Sequence, residues 1–451
     1  MSDLNDIVEA LVGRASGGEA IEAYAARGTD TEIRIYNGEI ETLGTATSAG
    51  IGIRVLLEST EGSRVGFAWT GSLDDAAIDR ALDDARENAT FASPDPAVVF
   101  ASPDGVSPAS VTLADPAFGT MSIDDKVSLV TELEAMTRAA DSRLRHVDAA
   151  DYGDGIVEVA LASTTGISAE MSRTSAYVSV AAIAGDASET QTGSGFSVGR
   201  GPSSLDIADA SRQAVERSVR MLGAVKAPSA RTTVVFDARV ASTVLGVLGG
   251  ALSGEAVAKG RSFFEGRQGE PVAVSGVTLI DDPTDARAYG AAAVDGEGLA
   301  CRRNVLIDDG VLAGFVYDAT SAKRAGTVST GSAVRGGYAG TPSAGCRALV
   351  LSPGDLDLDG VLAAVGNGVY VQSITGVHSG VSPVSGDFSV GAEGLMIRDG
   401  ALAEPFREVT VASTLQRMLL AIIEIGADLT WLPGSAAGQT LAIGDFQLSG
   451  S

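Results

Sequence analysis

An α+β protein of two domains is expected from the residues alone: an N-terminal α/β domain built on an antiparallel sheet (residues 1–225) and a strand-rich C-terminal domain with a few helices (residues 226–451). Three observations carry that expectation. The chain has 451 residues, more than one ordinary hydrophobic core organises. Strand-like stretches are interrupted by Asn37-Gly38, Asp309-Gly310 and Asp399-Gly400, dipeptides that favour two-residue hairpins and hence antiparallel neighbours. AVKAPSAR, residues 224–231, places Lys, Pro and Ser between a helical pattern and a new strand, and is the best linker candidate.

Taken in order, Leu4, Ile7, Val8 and Leu11 recur at helical spacing, so the first helix is expected from Leu4 to Ala15. EAYAARGTDTEIRIYNGEIETL reads as strands around the Asn37-Gly38 turn. GIGIRVLLE and SRVGFAWTG read as further strands joined by a polar turn at Ser59 to Gly62. Ser72 is expected to cap a helix whose Asp74 and Asp75 suit an N-terminus. After a proline-rich stretch comes a second capped helix from Ser122 to about Ala140. HVDAADYGDGIVEVALASTTGISAEMSRTSAYVSVAAIAG then suggests three antiparallel strands, and Ser203 to Met221 a third amphipathic helix. Beyond the linker the expected elements are the strand TTVVFD, a helix from Ala238 to about Gly250, the strands GVTLIDD, CRRNVLIDDGVLAGFVYD and GLMIRDGALAEPF, and a helix from Val409 to Ile425. The two Asp-Gly hairpins of this half read as a recurring turn rather than a repeat.

Composition narrows the function classes. A formal net charge of −26 argues against a nucleic-acid backbone or an anionic membrane as the main partner, because both would be repelled. Two cysteines, Cys301 and Cys346, without CxxC spacing, fit a reduced cytoplasmic setting rather than a disulfide framework. The start, MSDLNDIVEALVGRA, has neither the basic region nor the apolar run of an export signal, and no stretch approaches 18 uninterrupted apolar residues.

The chemistry-bearing residues are sparse. Hydrolytic zinc takes about three protein ligands and an open position, yet the chain has two histidines, His146 and His378, in different halves. A self-contained histidine-based zinc site is therefore not expected. In LSGEAVAKG, residues 252–260, Glu255 could serve as a general base beside a bound water, but Lys259 lies one helical turn on and makes an ion pair the simpler reading. Serine chemistry could be built from Ser253 with Lys259, or from Ser379 with His378 and Asp387. Neither set matches GxSxG or SxxK, and neighbours on a strand would face opposite ways. The run TGVHSGVSPVSGDFSVGAEG interleaves Gly376, Gly380, Gly386, Gly391 and Gly394 with Ser379, Ser382, Ser385 and Ser389. It suits either close approach of a ligand or a glycine-rich hairpin filling space between sheets, and it lacks the GxGxxG spacing of a dinucleotide site.

An ordered series of segments carries a resemblance. LSGEAVAKGRSFFEGRQGEPVA, LIDDPTDARAYGAAAVDGEGLACRRNVLIDDGVLAGFVYD, STGSAVRGG, GVHSGVSPVSGDFSVGAEGLMIRDGALAEP and the closing IIEIGADL together resemble the TldD/PmbA family, once described as modulators of DNA gyrase. TEIRIYNGEIETLGTATSAGIGIRVL in the N-terminal half is similar too, though less distinctive. In that family the TldD-type chain carries HExxxH and a late cysteine as metal ligands, and the PmbA-type chain, also called TldE, does not. Aligned on Glu255, the two histidines fall on Gly254 and Lys259, and the cysteine near Gly434 in LPGSAAGQT. The resemblance therefore implies a TldE-type chain without metal ligands of its own. It implies a heterodimer with a TldD-type metallo-subunit that holds zinc or a similar metal and cleaves amide bonds in peptides or peptide-like small molecules. Gly376, His378, Ser379, Gly380, Asp387, Glu255 and Lys259 are the candidates for substrate or interface contact. The alternative is a non-catalytic binding or regulatory homodimer without a metallo-subunit.

Overall fold

The computed structural model describes residues 4–450. The helix α1 (Leu4–Val12) buries Leu4, Val8 and Leu11, the i, i+4, i+7 stripe of its pattern. A six-stranded sheet follows, built from β1 (Glu19–Tyr36), β2 (Glu39–Ser59), β3 (Gly62–Thr70), β4 (Leu144–Ser163), β5 (Ser168–Gly185) and β6 (Thr190–Gly199). The strand order is β3-β2-β1-β4-β5-β6, antiparallel throughout. Several strands are far longer than read from sequence. IETL and GIGIRVLLE belong to one 21-residue strand, and the segment expected to give three strands gives two, with the third following at β6. The intervening glycines did not end the strands because each chain stays paired across them.

Period-two alternation divides the sheet's faces. Ile21, Ala23 and Ala25 of β1 meet α1 and α2 (Asp75–Phe91) at one end; Ile33 and Ile35 meet α3 (Ile123–Ala139) and α4 (Ile207–Val219) at the other. Ser122 caps α3 by accepting the Asp125 N–H. Ser72 does not cap α2: the N-cap is Asp74, and the Ser72 hydroxyl accepts the Asp74 N–H. The third helix starts at Ile207, behind a single 3-10 turn at Pro202–Ser204.

The second half opens with β7 (Ala230–Phe236), α5 (Ala238–Ala251) and α6 (Gly254–Ala258). A small sheet of β8 (Leu279–Asp281), β9 (Asn304–Asp308), β10 (Val311–Leu312) and β13 (Leu349–Leu351) follows, with α7 (Ala319–Ala325) packed on α6 and a two-stranded ribbon of β11 (Ala333–Val334) and β12 (Ser343–Ala344). Then come α8 (Leu358–Val365), β14 (Gly368–Thr375), α9 (Val377–Gly380), β15 (Asp387–Arg398), β16 (Ala401–Thr414), α10 (Leu415–Leu420), β17 (Ile422–Ile425), the short pair β18 (Thr430–Trp431) and β19 (Ala437–Gly438), and β20 (Leu441–Ser449). Strands β16-β15-β14-β7-β20 close on themselves through a β16–β20 pairing, leaving a ring in which only β14–β7 is parallel. Phe236, Phe388 and Phe446 meet edge-on among its core residues.

The helix expected from Val409 to Ile425 is a correction. VTVAST continues β16, where β-branched residues fit a ladder paired on one side with β15 and on the other with β20. Only Leu415–Leu420 is helical, with the Thr414 hydroxyl accepting the Arg417 N–H. The three Asx-Gly hairpins hold: Asn37, Asp309 and Asp399 have φ of 53°, 46° and 49°, each followed by a glycine near 80°, the backbone of a type I′ turn.

The halves meet through buried charge. On the sheet face away from the helices, Glu22 of β1 accepts from Arg54 of β2 at 2.8 Å and from Arg335 of the second half. Arg335 is 1% exposed in its side chain and lies over the Tyr24 ring. These two cations hold the Glu22 carboxyl down at about 2 against the opposing effect of its burial. Glu297, 3.6 Å from Arg54, is pushed the other way, up to about 8, because burial outweighs that attraction and Asp318 and Glu22 repel its charged form. Among the described residues no helix is long and apolar enough to cross a membrane.

Candidate functional site

Helix α5 starts at Asp237, whose carboxylate accepts the Arg239 N–H. Its apolar stripe of Val240, Val244, Leu245 and Leu248 sinks into the core of the second half. The other side of its last turns carries Gly246, Gly249 and Gly250. The chain breaks at Leu252 and turns into α6, so LSGEAVAKG is a separate one-turn helix rather than the tail of a longer one. Ser253 and Gly254 are tied to the strand-like segment at Val316 by a parallel bridge and by the Gly254 N–H to Val316 carbonyl bond at 2.8 Å.

Between α5, α6 and the ribbon end at Ala344–Cys346 lies a cleft of about 430 Å³. Glu255, Lys259, Arg261 and Ser435 border it, and the α5 glycines form part of its wall. The Lys259 ammonium donates to the Glu255 carboxylate across one helical turn, as the i,i+4 spacing predicts. Ser253 is not activated by Lys259: its hydroxyl is buried and donates to the Ala344 carbonyl at 3.0 Å. Cys346 meets the Gly249 carbonyl through its thiol, which burial raises well above its usual value; the Cys301 thiol is pushed to about 12 by the same cause.

The two positions where the resemblance places histidines do not fit a metal. A Cβ on Gly254 would lie 2.0 Å from a Tyr317 ring carbon, so the ring fills the space a side chain would need. Lys259 presents a cation in place of the second ligand and occupies the one carboxylate. Among the described residues no group of three or more His, Cys, Asp or Glu side chains is placed to hold an ion.

The glycine-rich run lies elsewhere, and none of its residues borders this cleft. Gly376, with φ of 78°, starts the four-residue helix α9, so His378 and Ser379 sit on a helix rather than on the expected strand. The Ser379 hydroxyl donates to the Gly376 carbonyl at 3.2 Å, while Asp387 accepts from Ser385 at 2.7 Å. The three side chains therefore do not assemble as nucleophile, base and orienting acid. Two glycines of the run have a packing reason: a Cβ at Gly380 or Gly394 would meet a backbone carbonyl at 1.9 Å, that of Ser389 or Tyr370. Sequence reasoning missed Tyr317 and Arg261, because nothing in the local pattern shows that residue 317 packs onto residue 254.

Comparisons with known proteins agree with this architecture. The PmbA/TldA metallopeptidase C-terminal domain matches residues 229–450, the central domain residues 116–222 and domain 1 residues 21–89. The chain is 26% identical to the metalloprotease PmbA of Escherichia coli O157:H7 over 453 aligned residues, covering 97% of this chain and 94% of that one. It is 30% identical to a metalloprotease of Methanothermobacter thermautotrophicus over 302 residues, 65% of this chain and 66% of the relative. Its fold is shared with a proposed modulator of a DNA gyrase from Thermotoga maritima (TM-score 0.88, 21% identity, 99% and 100% of the two chains) and with TldE from Thermococcus kodakarensis (TM-score 0.86, 23% identity, 99% of each). The chain belongs to the PmbA/TldD metallopeptidase family.

Proposed function

We propose that this chain is the TldE-type, non-metal-binding subunit of a heterodimeric amide hydrolase that works in the cytoplasm on peptides or peptide-like small molecules, with a TldD-type partner carrying the metal. The observation that carries this reading is the pairing of Lys259 with Glu255 beside a Gly254 closed off by Tyr317. A helix of this shape with its single carboxylate neutralised is suited to shaping a cleft rather than activating water. The metal, when bound in the partner, would polarise the scissile carbonyl and activate water.

This chain's residues would contribute binding and enclosure. Residues 39–50 of β2 pair with β1 on one side and lie beyond the reach of β3 on the other. They offer an open strand edge to an extended chain. In this reading the two domains, residues 1–225 and 226–451, are held as one wall by the Glu22, Arg54 and Arg335 cluster.

The test is peptide hydrolysis by the purified chain alone and after mixing with its TldD-type partner, with metal analysis of the complex. Hydrolysis only in the mixture, with the metal in the partner, is expected. Robust, chelator-insensitive hydrolysis by this chain alone overturns the proposal.

A further inference from the structure

We infer that the cleft between α5 and α6 binds the C-terminal carboxylate of a peptide, with Arg261 as the anchoring cation. The inference rests on the peptide-hydrolase reading for the ligand's class, and on three features of the cleft itself.

The first is charge. Lys259 and Glu255 neutralise one another at the cleft's edge, which leaves Arg261 as a surplus cation there, in a chain of net charge −26. The Arg261 side chain makes no hydrogen bond or ion pair among the described residues; only the residue's backbone N–H is used, donating to the Ala256 carbonyl at 2.8 Å. The nearest carboxylate placed on this turn, that of Glu265, would lie 3.7 Å from a Cβ on Gly260 and makes no ion pair with Arg261. One open guanidinium fork matches a singly charged, planar carboxylate; a phosphate dianion would leave a charge uncompensated.

The second is the glycine wall. Gly249 has a packing reason, since a Cβ there would lie 2.5 Å from a methyl of the buried Leu349 side chain, which would have to shift. Gly250 has none: it sits in a helix, it is exposed, and a Cβ would meet nothing within 4 Å. Glycine is less favourable than alanine inside a helix, and local packing at Gly250 does not offset that cost. What its missing side chain leaves is open space over the helix, where a main chain can lie close to the wall.

The third is volume and chemistry. A space of about 430 Å³ falls in the range that holds a small ligand. Its lining is small and polar at Ser253, Gly345 and Ser435, with no large apolar side chain to favour an aromatic or lipid occupant.

The test is binding of tri-alanine, with a free carboxylate, and of tri-alanine amide to the purified full chain, followed by ligand-observed NMR. The acid is expected to bind about tenfold more tightly than the amide, the ratio that one charge-assisted contact of about 1.4 kcal/mol gives. Arg261→Gln, at an exposed position, should erase that preference. Lys259→Gln should weaken acid binding by exposing the Glu255 charge, and Gly250→Leu, which has room to fold, should block the cleft to both peptides. Equal binding of acid and amide, an unchanged preference in Arg261→Gln, or unchanged binding in Gly250→Leu each overturns the inference, with thermal melting confirming that the variants are folded. The assay needs neither partner nor turnover. A negative result removes this site and leaves the hydrolase reading standing, while failure of hydrolysis in the mixed complex does the reverse.

Discussion

Gly254→Ala tests whether the histidine position is closed by structure. The added Cβ would lie 2.0, 2.2 and 2.9 Å from three atoms of the Tyr317 ring, against ordinary carbon contacts of about 3.5–4.0 Å. A shift of roughly 1.5 Å is needed to relieve it. Helix α6 cannot easily supply the movement, because Gly254 is bonded to Val316, the residue before the tyrosine, and the Tyr317 N–H is held by the Thr330 hydroxyl at 2.7 Å. Overpacking of this kind costs about 1–3 kcal/mol, and the helical preference of alanine over glycine returns up to about 1 kcal/mol. A net loss of about 1–2 kcal/mol is expected. Urea unfolding followed by Trp431 fluorescence in a Trp69→Phe background leaves one reporter, since the chain has two tryptophans; Trp431 packs with Ala288, Ala291 and Ala348 of the second half and Leu113 of the first. In a Tyr317→Ala background the same substitution should become neutral or stabilising. An unchanged urea midpoint for Gly254→Ala with Tyr317 intact would refute the steric argument, and with it the idea that packing keeps a side chain out of position 254.

Three further outcomes are expected. Glu297 is protonated when folded, with its carboxyl at about 8, and ionised when unfolded above about 4.5; the folded state thus binds the extra proton, and stability from this group falls as pH rises from 4.5 to 8, then levels off. Glu297→Gln keeps an acceptor for the Ala319 N–H and should remove that slope, so that its stability relative to the parent rises by about 3 kcal/mol between about pH 5 and about pH 8; parallel urea midpoints across that range would contradict it. Arg335→Met leaves Glu22 buried with Arg54 alone and should cost about 3 kcal/mol, measured by chemical denaturation, with no loss counting against the junction. His378→Ala and Ser379→Ala should leave peptide hydrolysis by the mixed complex unchanged, and a large fall in kcat for either would restore the serine-type reading.

Much of the fold is legible where local chemistry dictates it. Asn37-Gly38, Asp309-Gly310 and Asp399-Gly400 turn as read because few residue pairs hold two successive positive φ angles. Ser122 caps its helix as read, and the Lys259–Glu255 pair forms because helix geometry alone brings residues four apart together. The largest error falls where pairing across the chain competes with local pattern, while Ser72 loses its cap to Asp74 within two residues. Val409–Ile425 reads as one helix, yet two neighbouring strands claim Val409–Thr414. His378 and Ser379 lie on a short helix because the left-handed Gly376 turns the chain before β15 begins.

Residue types and short spacings were enough for the class of fold, the antiparallel hairpins, the family resemblance and the absence of histidine at positions 254 and 259, since each of these acts over a turn or a strand. Contacts between distant segments were needed to see that Tyr317 fills the space beside Gly254, that Arg261 is left without a carboxylate, that Gly250 faces an open cleft, and that Glu22 and Arg335 meet across 313 positions of chain. Steric closure, charge balance and burial arise only once segments far apart in the chain come together, and no local pattern encodes which segments will meet.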